Sequence, residues 1–144
     1  MDVMIDTSKF LPIQHCISIF ILFFSGIVSA VAPRVYIEAP ENGALVQSPV
    51  EIIFALDGME LAPAGTYDPD TGHHHLIIDI KLPDIGMPIP SNKNHLHFGK
   101  AQDRVLIDLE PGIHTLQLLL GDGSHIPHRP PLISEKIEIT IVPQ

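Results

Sequence analysis

Residues 72–80 read Gly-His-His-His-Leu-Ile-Ile-Asp-Ile, and their alternation is the clearest indication of secondary structure in the chain. In a β-strand, alternate side chains face the same side of the sheet. Leu76, Ile78 and Ile80 therefore form an apolar row on one face. His74 points with that row, whereas His73 and His75 project together from the opposite, outward face. The stretch predicts a strand that covers a hydrophobic core with one face and carries a histidine pair on the other.

Similar short apolar segments, separated by Pro, Gly, Asn and Asp, fill the chain after residue 33, and no sustained helical period occurs. Leu116, Leu118 and Leu120 form a second apolar row. We therefore predict a single all-β domain, an immunoglobulin-like β-sandwich of about seven strands. The predicted strands are Arg34 to Ala39, Val50 to Leu56, His74 to Leu82, His95 to Gly99, Val105 to Leu109, His114 to Leu120 and Lys136 to Val142.

Two connections are long for a small sandwich, residues 58–72 and 83–94. Shorter connections have the residues typical of tight turns, such as Gly121-Asp122-Gly123-Ser124 after the row of Leu116, Leu118 and Leu120. Long loops on a rigid scaffold often carry binding residues, although variable decoration is the commoner reason for their length.

The first thirty residues have the pattern of an export signal. An apolar run extends from Cys16 to Val28, and small residues follow it. We predict a signal peptide over residues 1–30, cleavage after Ala30, and a domain over residues 31–144 in a periplasmic or secreted protein. Asp2 and Asp6 dilute the positive charge expected before the run, so an uncleaved membrane anchor is the alternative.

Removal of the signal would remove Cys16, the one cysteine of the chain. Disulfides and thiolate ligands are then excluded, and any metal must be held by nitrogen and oxygen. Residues 31–144 hold seven basic and fifteen acidic side chains, about −8 in charge with histidine neutral. Without a basic run, nucleic acid is excluded as a partner, and no stable membrane insertion is expected after cleavage.

Eight of the nine histidines lie between residues 73 and 128. Imidazole is the commonest metal ligand in proteins, and an H-x-H pair on one strand face with a histidine from a neighbouring strand suits zinc or copper(II). The candidate metal ligands are His73, His75, His95, His97, His114, His125 and His128. His74, in phase with Leu76, is interpreted as a core residue.

For some candidates a structural role is an equal alternative. His114 lies in phase with the Leu116 row, and His125 and His128 bracket a proline turn. Asp79 and Asp122 are placed to orient a ligating imidazole, but we interpret Asp79 as a strand-edge residue and Asp122 as a turn residue.

No catalytic machinery is recognisable in the chain. It has no Gly-x-Ser-x-Gly motif, no H-E-x-x-H motif and no phosphate-binding or calcium loop. An enzyme with a histidine-bound metal and an open coordination position is the weakest of the functions considered.

Four motifs carry a family resemblance: Gly72 to Asp79, His95 to Gln102, Pro111 to Leu118, and His125 to His128 before Pro130-Pro131. In this order they resemble DUF4399, a domain of unknown function found in small exported bacterial proteins. The chain departs from the expected pattern at Ala101 and Asp103. The resemblance implies export, a compact β domain and the histidine positions as a family signature, and it implies no activity.

Two functions of different classes remain. The first is an exported domain that binds copper(II) or zinc through its histidines. The second is a non-catalytic module that binds an envelope protein or a glycan, with histidines that only stabilise the loops.

Overall fold

The computed structural model describes residues 31–143, and in them it confirms the all-β sandwich. Nine strands occur, two of them only two residues long. They are β1 (Arg34–Ala39), β2 (Leu45–Val46), β3 (Val50–Asp57), β4 (Glu60–Leu61), β5 (Thr71–Ile78), β6 (His95–His97), β7 (Arg104–Ile107), β8 (Gly112–Gly121) and β9 (Ile137–Ile141). Residues 31–143 contain no helix long and apolar enough to span a membrane. The predicted signal peptide lies outside the described residues.

Two sheets form the layers of the sandwich. The smaller has the order β1-β3-β7, and the larger has the order β2-β9-β8-β5-β4, with β6 also paired to β5. Ile52 and Phe54 of β3 face Leu76, Leu118 and their neighbours across the core, and all four side chains are buried. The core thus joins β3 to the inner face of β5 and β8.

The register of β5 against β8 confirms the two predicted apolar rows in part. Leu76 lies opposite Leu118, Ile78 opposite Leu116, and His74 opposite Leu120. The predicted strand from His74 to Leu82 is wrong at both ends, because β5 begins at Thr71 and stops at Ile78.

The early end of β5 has a local cause. Asp79 adopts a left-handed backbone with φ 60°, which turns the chain out of the extended conformation. Ile80 therefore leaves the core row and is only half-buried.

The expectation that His73 and His75 face outward needs correction. They do lie on the face of β5 opposite the core, but both are fully buried. Three loops, residues 62–70, 79–94 and 122–136, cover that face. They are joined by backbone hydrogen bonds, in which the amide of Gly65 donates to the carbonyl of Gly123 and the amide of Ile89 donates to the carbonyl of His125. The loops close a second, smaller interior on the outer side of the large sheet.

Candidate metal centre

Four imidazole rings pack against one another beneath these loops. We call them the histidine tetrad; its members are His73, His75, His97 and His125. The ring centroids lie between 4.7 Å, for His97 and His125, and 5.9 Å, for His75 and His125. His73 contacts the other three at 4.9 to 5.0 Å.

Strand pairing brings three of these rings together. His73 and His75 share a face of β5 because every second side chain of a strand lies on the same face. His97 of β6 lies directly opposite His75 in the antiparallel register. The two H-x-H segments of the sequence therefore meet side by side.

A tight turn supplies the fourth ring. After β8 ends at Gly121, a carboxylate oxygen of Asp122 accepts hydrogen bonds from the amides of Ser124 at 2.8 Å and Ile126 at 2.9 Å. This is the turn role predicted for Asp122. The turn holds His125 in a left-handed conformation with φ 66° and places its ring over His73 and His97.

Glycines make room for the tetrad. A Cβ atom built on Gly121 would lie 2.8 Å from Cε1 of His75, and one built on Gly99 would lie 2.5 Å from Nε2 of His97. Side chains at these two positions would overlap the rings. Gly99, shortly after β6, and Gly121, the last residue of β8, thus belong to the site, although only their packing reveals it.

Most nitrogens of the tetrad have no hydrogen-bond partner. Both ring nitrogens of His73 and His75, and Nε2 of His97, are buried and unpaired. Each unpaired buried polar group costs about 1–3 kcal/mol of stability. Native interiors rarely leave such groups unpaired, so a cluster of them in one place requires a reason.

The environment disfavours the charged form of three members of the tetrad, His73, His75 and His97. Burial, with the neighbouring imidazoles His97 and His125, lowers the pKa of His73 to about 4. Burial, with His73, His97 and His125, lowers the pKa of His75 to about 3. Burial followed by the charge of His125 also lowers the pKa of His97. Neutral imidazole is the form that binds metal ions.

Three rings converge closely enough for one ion. One ligand atom each from His73, His97 and His125 all lie within 4.8 Å of one another. For three atoms at that spacing, some point lies no more than about 2.8 Å from each of them. A zinc–nitrogen bond is about 2.0–2.1 Å long. Small ring rotations would close the difference. His75 is in ring contact with all three but is not one of the residues whose ligand atoms converge.

The structure places His114 elsewhere. Its Nδ1 lies 2.7 Å from a carboxylate oxygen of Asp79, and its Nε2 lies 2.8 Å from the carbonyl oxygen of Glu110. Burial opposes the charged form, but these two acceptors outweigh burial and raise the pKa. With both ring nitrogens engaged, His114 has no lone pair for a metal. Asp79 accepts hydrogen bonds from His114 and from the amide of Thr115, and it makes none to the tetrad.

The other three histidines lie outside the ring contacts of the tetrad. His95 lies one cross-strand pair further along β6, opposite Ile77, and its Nδ1 lies 3.1 Å from Oδ1 of Asn92. His128 packs beside Gly72. His74 lies on the core face as predicted, with its ring centroid 5.2 Å from that of Phe54.

The comparisons with known proteins identify a family and nothing finer. The family model described as "Domain of unknown function (DUF4399)" matches residues 52–142, which include the whole tetrad and both of its glycines. No match was found among curated proteins or among solved structures.

Proposed function

The chain belongs to the DUF4399 family, whose description assigns no activity, and we propose that its domain binds one zinc or copper(II) ion in the histidine tetrad. His73, His97 and His125 are the first three ligands, and His75 is the fourth.

One observation carries this proposal: imidazole nitrogens are concentrated in a buried space without hydrogen-bond partners. A tetrad that served only to stabilise the loops would donate to and accept from loop carbonyls and amides, as His114 does with Glu110. Here the loops hold the rings in place through backbone hydrogen bonds and glycine packing. The lone pairs are left free, which is what a metal requires.

The donor set selects the metal. Neutral nitrogen ligands suit zinc and copper(II), whereas copper(I) favours thiolate and thioether sulfur. Residues 31–144 contain no cysteine. The four side chains of the tetrad are all histidines, so the tetrad itself supplies no sulfur ligand. Three or four imidazoles match the coordination number of zinc.

The test is an equilibrium titration of metal-free protein with zinc and with copper(II), followed by calorimetry and elemental analysis. We expect about one ion per chain. His97→Ala and His73→Ala should each weaken binding by more than about 100-fold, since loss of groups that merely orient a ligand already costs 10–100-fold. His114→Gln is the matched control and should bind like the wild type.

The opposite outcome favours the interaction module. If the wild type takes up neither metal, and His97→Ala lowers the melting temperature equally with and without added metal, the tetrad is a structural element and the proposal fails.

Export is the second part of the proposal. It is supported by the apolar run before residue 29 and the small residues after it. Expression of the full chain, cell fractionation and N-terminal sequencing test it. We expect a periplasmic or secreted product that begins at Val31, and a cytoplasmic product with an intact N-terminus would contradict it.

A further inference from the structure

The ion needs a route into the tetrad, and the exposure of the four rings shows where the tetrad is open. His73 and His75 are fully buried, whereas His97 and His125 are half-buried. The pairing of β6 with β5 fixes the position of His97. His125 lies beyond the end of β8, outside any strand. A movement of His125 therefore opens the tetrad without breaking a strand pair.

A compact turn, residues 122–126, carries His125, and we call it the ligand turn. The amide of Asp122 donates to the carbonyl of Ile126 at 2.9 Å. One carboxylate oxygen of Asp122 accepts hydrogen bonds from the amides of Ser124 and Ile126. These bonds close the turn on itself, so it can move as one unit.

Two of the covering loops hold the ligand turn against the other rings. The amide of Gly65 donates to the carbonyl of Gly123 at 2.9 Å. The amide of Ile89 donates to the carbonyl of His125 at 2.8 Å. A Cβ atom built on Gly123 would overlap the carbonyl oxygen of Thr66, so the two backbones are in direct contact. Contacts between loops open at a lower free energy than the hydrogen bonds of a central strand, and the ligand turn is therefore the part of the site that opens first.

We propose that the ligand turn is a gate, and that the domain exchanges its metal ion through this gate instead of holding the ion permanently. When the turn opens, His125 leaves the other rings and the ion enters or departs beside His97. Asp122 is the positioning residue of the gate, because its carboxylate keeps the turn in the shape that fits the two loops. This inference rests on the proposed function of the tetrad, and it adds that the ion is cargo.

The test measures two rates by stopped flow: zinc uptake by metal-free protein and zinc release to excess chelator. Calorimetry gives the Kd. Asp122→Ala removes the oxygen that accepts the two amides, whereas Asp122→Asn keeps an oxygen acceptor and removes only the charge. Asp84→Ala is the matched control, because Asp84 accepts a hydrogen bond from the amide two residues further on, at 2.8 Å, in a turn that carries no ring of the tetrad.

We expect Asp122→Ala to accelerate uptake and release alike, each by about tenfold, which is the effect of one lost hydrogen bond to a charged group. Its Kd should equal that of the wild type, because opening of the turn precedes both uptake and release. Asp122→Asn and Asp84→Ala should match the wild type in both rates.

Three results would overturn the gate and leave the tetrad intact. Unchanged rates in Asp122→Ala would show that the turn does not limit exchange. Faster release at an unchanged uptake rate, with a weaker Kd, would show that Asp122 only supports a bound ligand. Slower uptake by Asp122→Asn would show that Asp122 acts by attracting the cation. Absence of zinc uptake by the wild type would overturn the proposed function as well.

Hydrogen exchange of the wild type tests the gate without any variant. In the metal-free protein the amides of Gly65 and Ile89 should exchange faster than the amides of β5, and zinc should slow them. If these two amides exchange as slowly as those of β5, or if zinc leaves their exchange unchanged, the turn does not open separately from the domain and the gate is overturned.

Discussion

Among the residues of the tetrad, His125 has an unusual backbone conformation. Its left-handed backbone, φ 66°, costs a residue with a Cβ about 1–2 kcal/mol, and such strain is kept where function requires it.

Asparagine adopts this conformation more readily, so His125→Asn should unfold at a urea midpoint equal to or above that of the metal-free wild type. The same variant should lose more than about 100-fold in zinc affinity, because a ligand is gone. Zinc binding at wild-type strength would show that the strain at His125 serves the loop alone.

Gly99 tests the packing of the site without removing a ligand. In Gly99→Ala the new methyl group would lie 2.4 Å from Cε1 of His97, so the ring must move. We expect zinc affinity to fall by about 10–100-fold, as for other changes that misplace a ligand. Gly86→Ala, where the nearest atom is 3.4 Å away, is the control and should leave the titration unchanged. Equal affinities for both variants would contradict the role of Gly99.

Among the strands, the sequence could predict which histidines of the site share a face. The period of two separates His74 from His73 and His75, and the same rule pairs His95 with His97. Parity could not predict the burial of the outward pair, since burial depends on loops that pack on one another through Gly65, Gly123 and Ile89. Parity also could not tell that His125 belongs to the tetrad and His114 does not. The partners of His114, Asp79 and Glu110, come next to it only in the folded sheet.

The two faces of β5 should also respond differently to substitution. His74 lies among core aromatic rings, and both of its nitrogens are buried and unpaired. His74→Leu should therefore raise the free energy of unfolding of the metal-free protein by about 1–3 kcal/mol and leave zinc binding unchanged. Chemical denaturation and calorimetry measure the two effects. Loss of zinc binding would show that the core face contributes to the site.

At the scale of the whole molecule, the buried histidines make the metal-free protein sensitive to acid. The pKa values of His73 and His74 are lowered to about 4, and that of His75 to about 3, chiefly by burial. Between pH 6.5 and about 4, the unfolded chain binds protons that the folded chain does not. Stability should be highest above pH 6.5 and fall as the pH drops, by up to about 1.4 kcal/mol per pH unit for each such histidine.

His114 acts in the opposite direction, because its pKa is raised. Its contribution is fully present below pH 6.5 and is lost as the pH rises through its folded pKa, so it changes stability only above the pH range in which the buried histidines act. Urea midpoints of metal-free protein between pH 4 and 8 test the balance. A midpoint that stays constant or rises between pH 6.5 and 4 would contradict the lowered pKa values of His73, His74 and His75.

X-ray absorption at the metal edge of the zinc-loaded protein tests directly whether the tetrad holds the ion. It counts the ligand atoms around the ion and identifies them as imidazole nitrogen, oxygen or sulfur. We expect three or four imidazole nitrogens at about 2.0–2.1 Å and no sulfur. A shell of oxygen atoms with at most one imidazole would place the ion on the protein surface and contradict the tetrad as a metal site.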